Sequence, residues 1–160
     1  MPQRVISDLG SISRLINILQ VEDAKNIMLV TGKKSFFASG ASAAIEPIFK
    51  HFNVIRFKDF EINPKFEDAK KGSEIARKNK IDTIVSIGGG SVIDIAKLIL
   101  AFLDPNQDVE KIIDGSIKAK PSKLRHISIP TTAGTGSEST HFAVVYKNKR
   151  KFSVAADFLM

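Results

Sequence analysis

The sequence predicts an α/β fold, a doubly wound and mostly parallel sheet with helices on both faces, and three observations carry that expectation. Apolar, β-rich runs alternate with helical patterns along the chain. The runs Ile27 to Val30 and Ile84 to Ile87 are almost wholly apolar, as strands buried on both faces must be. Loops of small residues follow the strand ends at Ile87 and Ile129, where such a sheet carries function.

The first strand is Asn26 to Thr31, followed by a helix over Ala41 to His51 and a second strand, Asn53 to Phe57. Pro64 can open the next helix, Lys65 to Asn79, whose core face is marked by Phe66, Ala69, Ile75 and Ala76. Thr83 to Ile87 is the third strand. Ser91 to Leu103 is a helix with Ile95, Leu98, Ile99 and Phe102 on its core face, and Asp104-Pro105 ends it. Asn106 to Arg125 is polar and mixed, with a short helix at Val109 to Ile113 and a basic loop after Gly115. His126 to Ile129 is the next strand, and the charged stretch Lys147 to Lys151 reads as a hairpin before a strand at Phe152.

At 160 residues, 43% apolar and with mean hydropathy near zero, the chain has the length and composition of one soluble domain. Its apolar runs, such as Leu98 to Leu103, fall far short of the roughly 20 residues of a spanning helix. No signal-peptide pattern opens it, so a cytoplasmic location without a membrane partner is expected. The absence of cysteine excludes a thiolate zinc module and a cysteine nucleophile. Twenty-four Lys and Arg against seventeen Asp and Glu leave a charge of +7, which favours an anionic ligand. Nucleic acid is disfavoured as a partner, because the basic clusters are scattered and the chain has one Tyr and no Trp for stacking on bases.

The chemistry concentrates in two loops. Gly88-Gly89-Gly90-Ser91 lies between a buried strand and a helix, where glycines let an anion reach the backbone and the first N–H groups of the helix point at it. Asp94, one turn further on, either faces back to that loop or is a first-turn acid favoured by the helix dipole. The second loop, Pro130 to Glu138, presents the hydroxyls of Thr131, Thr132 and Thr135 between glycines that permit close approach. Its alternative reading is a helix cap formed by Thr135 or Ser137 with Glu138 in the first turn. Should the two strands be neighbours, both loops open on one crevice. Neither matches the Gly-x-Gly-x-x-Gly or the Gly-x-x-x-x-Gly-Lys-Ser fingerprint.

Together, Gly88-Gly-Gly-Ser-Val-Ile-Asp-Ile-Ala-Lys97 and Ile129-Pro-Thr-Thr-Ala-Gly-Thr-Gly-Ser-Glu138 resemble the iron-containing (group III) alcohol dehydrogenase family over essentially the whole chain. The resemblance implies that residues 1–160 form a Rossmann-like, dehydroquinate synthase-like amino-terminal domain that binds NAD or NADP. It implies a carboxy-terminal helical domain, outside this chain, that holds a divalent metal, iron or in some relatives zinc, through one Asp and three His. Asp157 comes too early to be that aspartate, and His51, His126 and His141 read as structural or surface residues, so no metal ligand and no catalytic residue is assigned here.

By the same resemblance Gly88, Gly89, Gly90 and Ser91 meet the pyrophosphate, Asp94 the nicotinamide side, and Thr131, Thr132 and Thr135 the adenosine side. Asn63 matches a further cofactor contact, Lys151 a lysine reaching the ribose, and Ser137 and Phe142 the nicotinamide and substrate side. The alternative for Lys151 is a solvated hairpin charge. Several family members carry an acidic residue at the position of Gly32; with Lys33 and Lys34 following it here, NADP is admissible beside NAD. The implied activity is reversible hydride transfer between a primary alcohol or aldehyde and NAD(P), in a homodimer that Arg4 to Asp8 would help to pair. Two alternatives remain: a non-catalytic nucleotide-binding module or fragment, inactive alone, and a relative of glycerol dehydrogenase or dehydroquinate synthase.

Overall fold

In the computed structural model, which describes residues 3–160, four apolar segments pair in parallel: β1 (Asn26–Thr31), β2 (Asn53–Phe57), β3 (Thr83–Gly88) and β4 (Arg125–Pro130). Their order across the sheet is β2-β1-β3-β4, so the chain steps outward from β1 to β2 and then crosses back to lay β3 on the other side of β1. That reversal is a topological switch point, and the crevice at the carboxyl ends of β1 and β3 follows from it. The two central strands are buried on both faces, which explains their unbroken apolar runs, whereas β4 at one edge is only partly covered.

Strand periodicity divides the core in two. Met28, Val30 and Ile84 point to one face, beneath α4 (Phe66–Lys78) and α5 (Gly90–Ala101). Ile27, Leu29, Val85 and Ile87 point to the other, against α1 (Leu15–Val21) and α3 (Ala41–Phe49). Helices on both faces of a mostly parallel sheet are the Rossmann-like arrangement expected from the sequence. α1 and the short α2 (Ser35–Ala38) had no counterpart in the sequence reading, although Ile12, Leu15 and Leu19 share one helical face. α6 (Val109–Ile113) is present, capped by Asp108, whose carboxylate accepts from the N–H groups of Glu110 and Lys111.

A hairpin of β5 (Phe142–Lys147) and β6 (Arg150–Ala155) packs over α5. Asn148 and Lys149 turn it with φ of 50° and 63°, both in the left-handed region that a two-residue hairpin demands. Sandwiched between sheet and hairpin, α5 buries residues on every side, Val92, Ile93, Ile95 and Lys97 among them. The stretch Arg4 to Asp8 forms no strand within this chain.

Candidate nucleotide site

β3 and β4 are neighbours, which meets the condition for convergence. Gly88 lies in register with Pro130, and the Thr131 N–H donates to the Gly88 carbonyl at 2.9 Å, so the two loops leave the sheet side by side. Gly88, Gly89 and Gly90 all have ordinary backbone conformations, and it is crowding by neighbouring side chains that a Cβ there would meet. A Cβ on Gly89 would stand 2.9 Å from Thr132 Oγ1, and one on Gly90 would stand 3.0 Å from Ser137 Oγ and 3.2 Å from Thr135 Cβ. The hydroxyl residues of the second loop therefore lie directly on the glycines of the first. Gly136, with φ of 61°, precedes a single 3-10 turn, Ser137–Ser139, and Thr135 Oγ1 accepts from the Ser137 N–H at 3.4 Å, so the capping role expected of Thr135 is present at the start of that turn.

α5 begins at Gly90, and its cap residue, Gly89, offers no side-chain oxygen. The Val92 N–H already donates to the Gly89 carbonyl at 3.0 Å, so it is the N–H groups of Gly90 and Ser91 that have no partner within the helix and remain available to an anion. Ser91 Oγ accepts from the Asn63 N–H at 3.4 Å, and Asn63 holds a left-handed φ of 67°, so these two sites meet at the rim of the loop. Asp94 faces the hairpin: its Oδ2 accepts from the Val144 N–H at 3.3 Å. Burial pushes its pKa up, opposed by the Val144 N–H, the Lys97 charge, the Ser137 hydroxyl and the Lys151 charge. Lys151 is exposed on β6, and Phe142 is exposed at the start of β5. Gly32 lies just beyond β1, whose last residue, Thr31, is in register with Ile87, and Arg56 of β2 donates to the Gly32 carbonyl.

Sequence reasoning passed over Lys97. It is 1% exposed, three residues after Asp94, and its ammonium donates to the carbonyls of Ser137, Thr140 and Phe142 and to the Thr140 hydroxyl. The end of the second loop is thereby fastened to α5. Burial pulls the Lys97 pKa down, while the carboxylates of Asp94 and Glu138 oppose that shift. The signal was a lone lysine inside the apolar run from Val92 to Phe102, since a buried lysine requires partners. Glu138 has one carboxylate oxygen, Oε2, buried without a hydrogen-bond partner.

His51 and His141 are exposed, and His126 Nε2 shares a hydrogen bond of 2.8 Å with Ser86 Oγ. Among the described residues no group of three or more His, Cys, Asp or Glu could hold a metal ion. A cavity of about 400 Å³ between α4 and α6 is structural in character, because the Arg77 guanidinium on its wall donates to the carbonyls of Phe102 and Leu103 and so closes the end of α5.

The family description "iron-containing alcohol dehydrogenase" matches residues 2–160. The chain belongs to that family. Among relatives of the iron-containing alcohol dehydrogenase domain, an aldehyde-alcohol dehydrogenase of Streptococcus pneumoniae is 33% identical over 97% of this chain and 19% of its own length. An NADPH-dependent butanol dehydrogenase of Clostridium saccharobutylicum is 30% identical over 97% of this chain and 40% of its own. The structure of sulfoacetaldehyde reductase from Bifidobacterium kashiwanohense in complex with NAD+ superposes with a TM-score of 0.83 at 26% identity, over 94% of this chain and 40% of that one. The chain thus spans less than half the length of each of these family members.

Proposed function

We propose that residues 1–160 are the dinucleotide-binding domain of an iron-type alcohol dehydrogenase, holding NAD or NADP for reversible hydride transfer between a primary alcohol and its aldehyde. The observation that carries this reading is the junction of the two loops: an α5 whose start has no side-chain cap, glycines at which a Cβ would crowd the second loop, and three hydroxyl residues packed on them. That cradle fits a pyrophosphate. Backbone N–H groups of Gly90 and Ser91 would bind its oxygens, with Thr132 and Thr135 closing over it. Gly88 and Gly89 let the cofactor backbone pass close to β3, Thr131 and Asn63 border it, and Gly32 lies toward the adenosine ribose.

At the other end Asp94, Ser137, Lys151 and Phe142 would orient the nicotinamide and border the substrate. When bound, the nicotinamide supplies the hydride acceptor or donor. The chain's own groups would bind, orient and exclude water, and no catalytic base is assigned among them. The described residues do not fit the divalent metal of the family, so its ligands would lie in a further domain and no step is derived through it. That same observation favours a second reading, in which these 160 residues alone bind cofactor and catalyse nothing. A homodimer and a cytoplasmic location belong to the proposal too; among the described residues no helix is long and apolar enough to cross a membrane.

The test is a calorimetric titration of the chain with NADH and with NADPH. Saturable binding of either, lost in Gly90→Asp, is the expected outcome. A chain that binds neither, while a longer chain carrying the following domain also binds neither, would overturn the assignment.

A further inference from the structure

We propose that Arg56 is a specificity-determining residue that receives the 2′-phosphate of the adenosine ribose, so that the chain selects NADP over NAD. The inference rests on the dinucleotide reading above and concerns the end of the crevice that the glycine loops do not reach.

Arg56 stands opposite Leu29 in register, on the edge strand β2, one residue before that strand ends. Its side chain reaches across to the carboxyl end of β1. Nε donates to Thr31 Oγ1 at 2.8 Å and Nη2 to the Gly32 carbonyl at 3.2 Å. The guanidinium lies 4.5 Å from the ring centre of Phe36 and 4.9 Å from that of Phe37, so two aromatic faces fix it as well. A fork held at two N–H groups and over two rings has lost little freedom still to lose on binding.

Its remaining donors are what matter. Both acceptors it uses are neutral, and among the described residues no carboxylate comes within ion-pair distance of it. Glu46, on α3, acts on it only through space. A guanidinium has five N–H donors, so the Nη1 amine and one Nη2 hydrogen are left for a ligand. A half-buried cation without an ion-pair partner, beside a turn that carries Lys33 and Lys34 and no acid, is matched to a phosphate dianion rather than to a ribose hydroxyl.

The turn supplies no competing acid. A Cβ on Gly32 would fall 2.2 Å from Ser35 Oγ, so the side chain of an acidic residue cannot occupy this position unless Ser35 moves. The position from which a carboxylate would bond the 2′-hydroxyl and repel a 2′-phosphate therefore carries no acid, only a glycine packed on the Ser35 hydroxyl, while a fixed cation stands beside it.

Calorimetry of the chain and its variants with NADPH and NADH tests this. The wild type should bind NADPH at least about tenfold more tightly than NADH, and the preference should shrink as salt rises. Arg56→Gln should bring NADPH down to the affinity of NADH and leave NADH unchanged, with Arg56→Lys between them; circular dichroism melts confirm that each variant folds. The pair Gly32→Asp with Ser35→Ala should turn the preference toward NADH. Equal affinity for both cofactors in the wild type, or equal weakening of both by Arg56→Gln, would overturn the role of Arg56 and leave the dinucleotide domain standing. A wild-type chain that binds neither, alone or with its following domain, removes the dinucleotide reading itself and this inference with it.

Discussion

The two ends of the crevice are built by different means. At the β3 and β4 end, recognition would come from backbone N–H groups at the start of α5, where a Cβ on Gly89 or Gly90 would press on Thr132, Thr135 and Ser137. At the β1 end a single long side chain, Arg56, crosses from the neighbouring strand and is locked by Thr31, Gly32, Phe36 and Phe37. Backbone donors bind any pyrophosphate alike, whereas one charged fork can distinguish two otherwise identical ligands. Affinity should therefore reside at the first end and choice at the second.

Gly90→Asp is the strongest attempt to break that division. The substitution brings a Cβ into contact with Thr135 and Ser137 and an anion to the helix start that would receive the pyrophosphate. Binding of NADH and NADPH should both weaken by more than about a hundredfold, a loss of about 3 kcal/mol, as read by calorimetry. If only one cofactor were affected, the loop would be a discriminating element and the comparison would fail.

The two ends also differed in how far the sequence disclosed them. The glycine loop, the hydroxyl loop and their flanking strands are contiguous in sequence, so composition and strand–loop–helix order were enough to locate them, and adjacency of β3 and β4 was the one fact that the structure had to add. Arg56 is 24 residues from Gly32, and nothing local in Val54-Ile55-Arg56-Phe57 marks its reach across to β1. Lys97 was in plain view as a charge in an apolar helix, yet its partners lie 40 to 45 residues away, from Ser137 to the first residue of β5. α1 was missed for a different reason, because attention to strands left the regular spacing of Ile12, Leu15 and Leu19 unread. The glycine signal was also read too narrowly, as approach to a ligand, when half of the reason is the packing of one loop upon the other.

Lys97→Met tests what holds the first end together. Methionine nearly matches the volume but leaves the carbonyls of Ser137, Thr140 and Phe142 without their donor. Urea denaturation should show a loss of about 3 kcal/mol. Both cofactors should bind more weakly by the same factor, in contrast with Arg56→Gln, since the hydroxyl loop serves whichever dinucleotide is present. A stable variant with normal binding would mean that the second loop is positioned by the sheet alone.

A smaller effect, outside both ends, comes from His126. Burial pulls its pKa down to about 4 from an ordinary value of 6.5. Below pH 6.5 the unfolded chain takes up a proton that the folded one refuses, so this contribution to stability is complete above pH 6.5 and is lost as pH falls toward 4. The loss should reach about 2 kcal/mol at pH 5 by thermal or urea unfolding, and His126→Gln should remove that slope while leaving both cofactor affinities unchanged.

Asp94 gives the smallest effect on stability and the finest test of the comparison, because it lies between the two proposed modes of recognition, a side chain on the helix whose start would bind through its backbone. Its folded pKa is raised by burial, so between the ordinary carboxylate value and that raised value the folded chain holds a proton more tightly than the unfolded one. Wild-type stability should therefore decline as pH rises through that window and stay level above it. Asp94→Asn abolishes the decline, keeps an oxygen for the Val144 N–H, and should unfold at an equal or slightly higher temperature at pH 7. Its cofactor affinities should fall together by about threefold, the scale of one neutral hydrogen bond exchanged for another, with no change in the ratio of NADPH to NADH. A variant that melts earlier at pH 7 would mean that Val144, Ser137, Lys97 and Lys151 together outweigh the cost of burying the charge; Asp94 would then be a bracket for the hairpin rather than a group held in reserve for the nicotinamide.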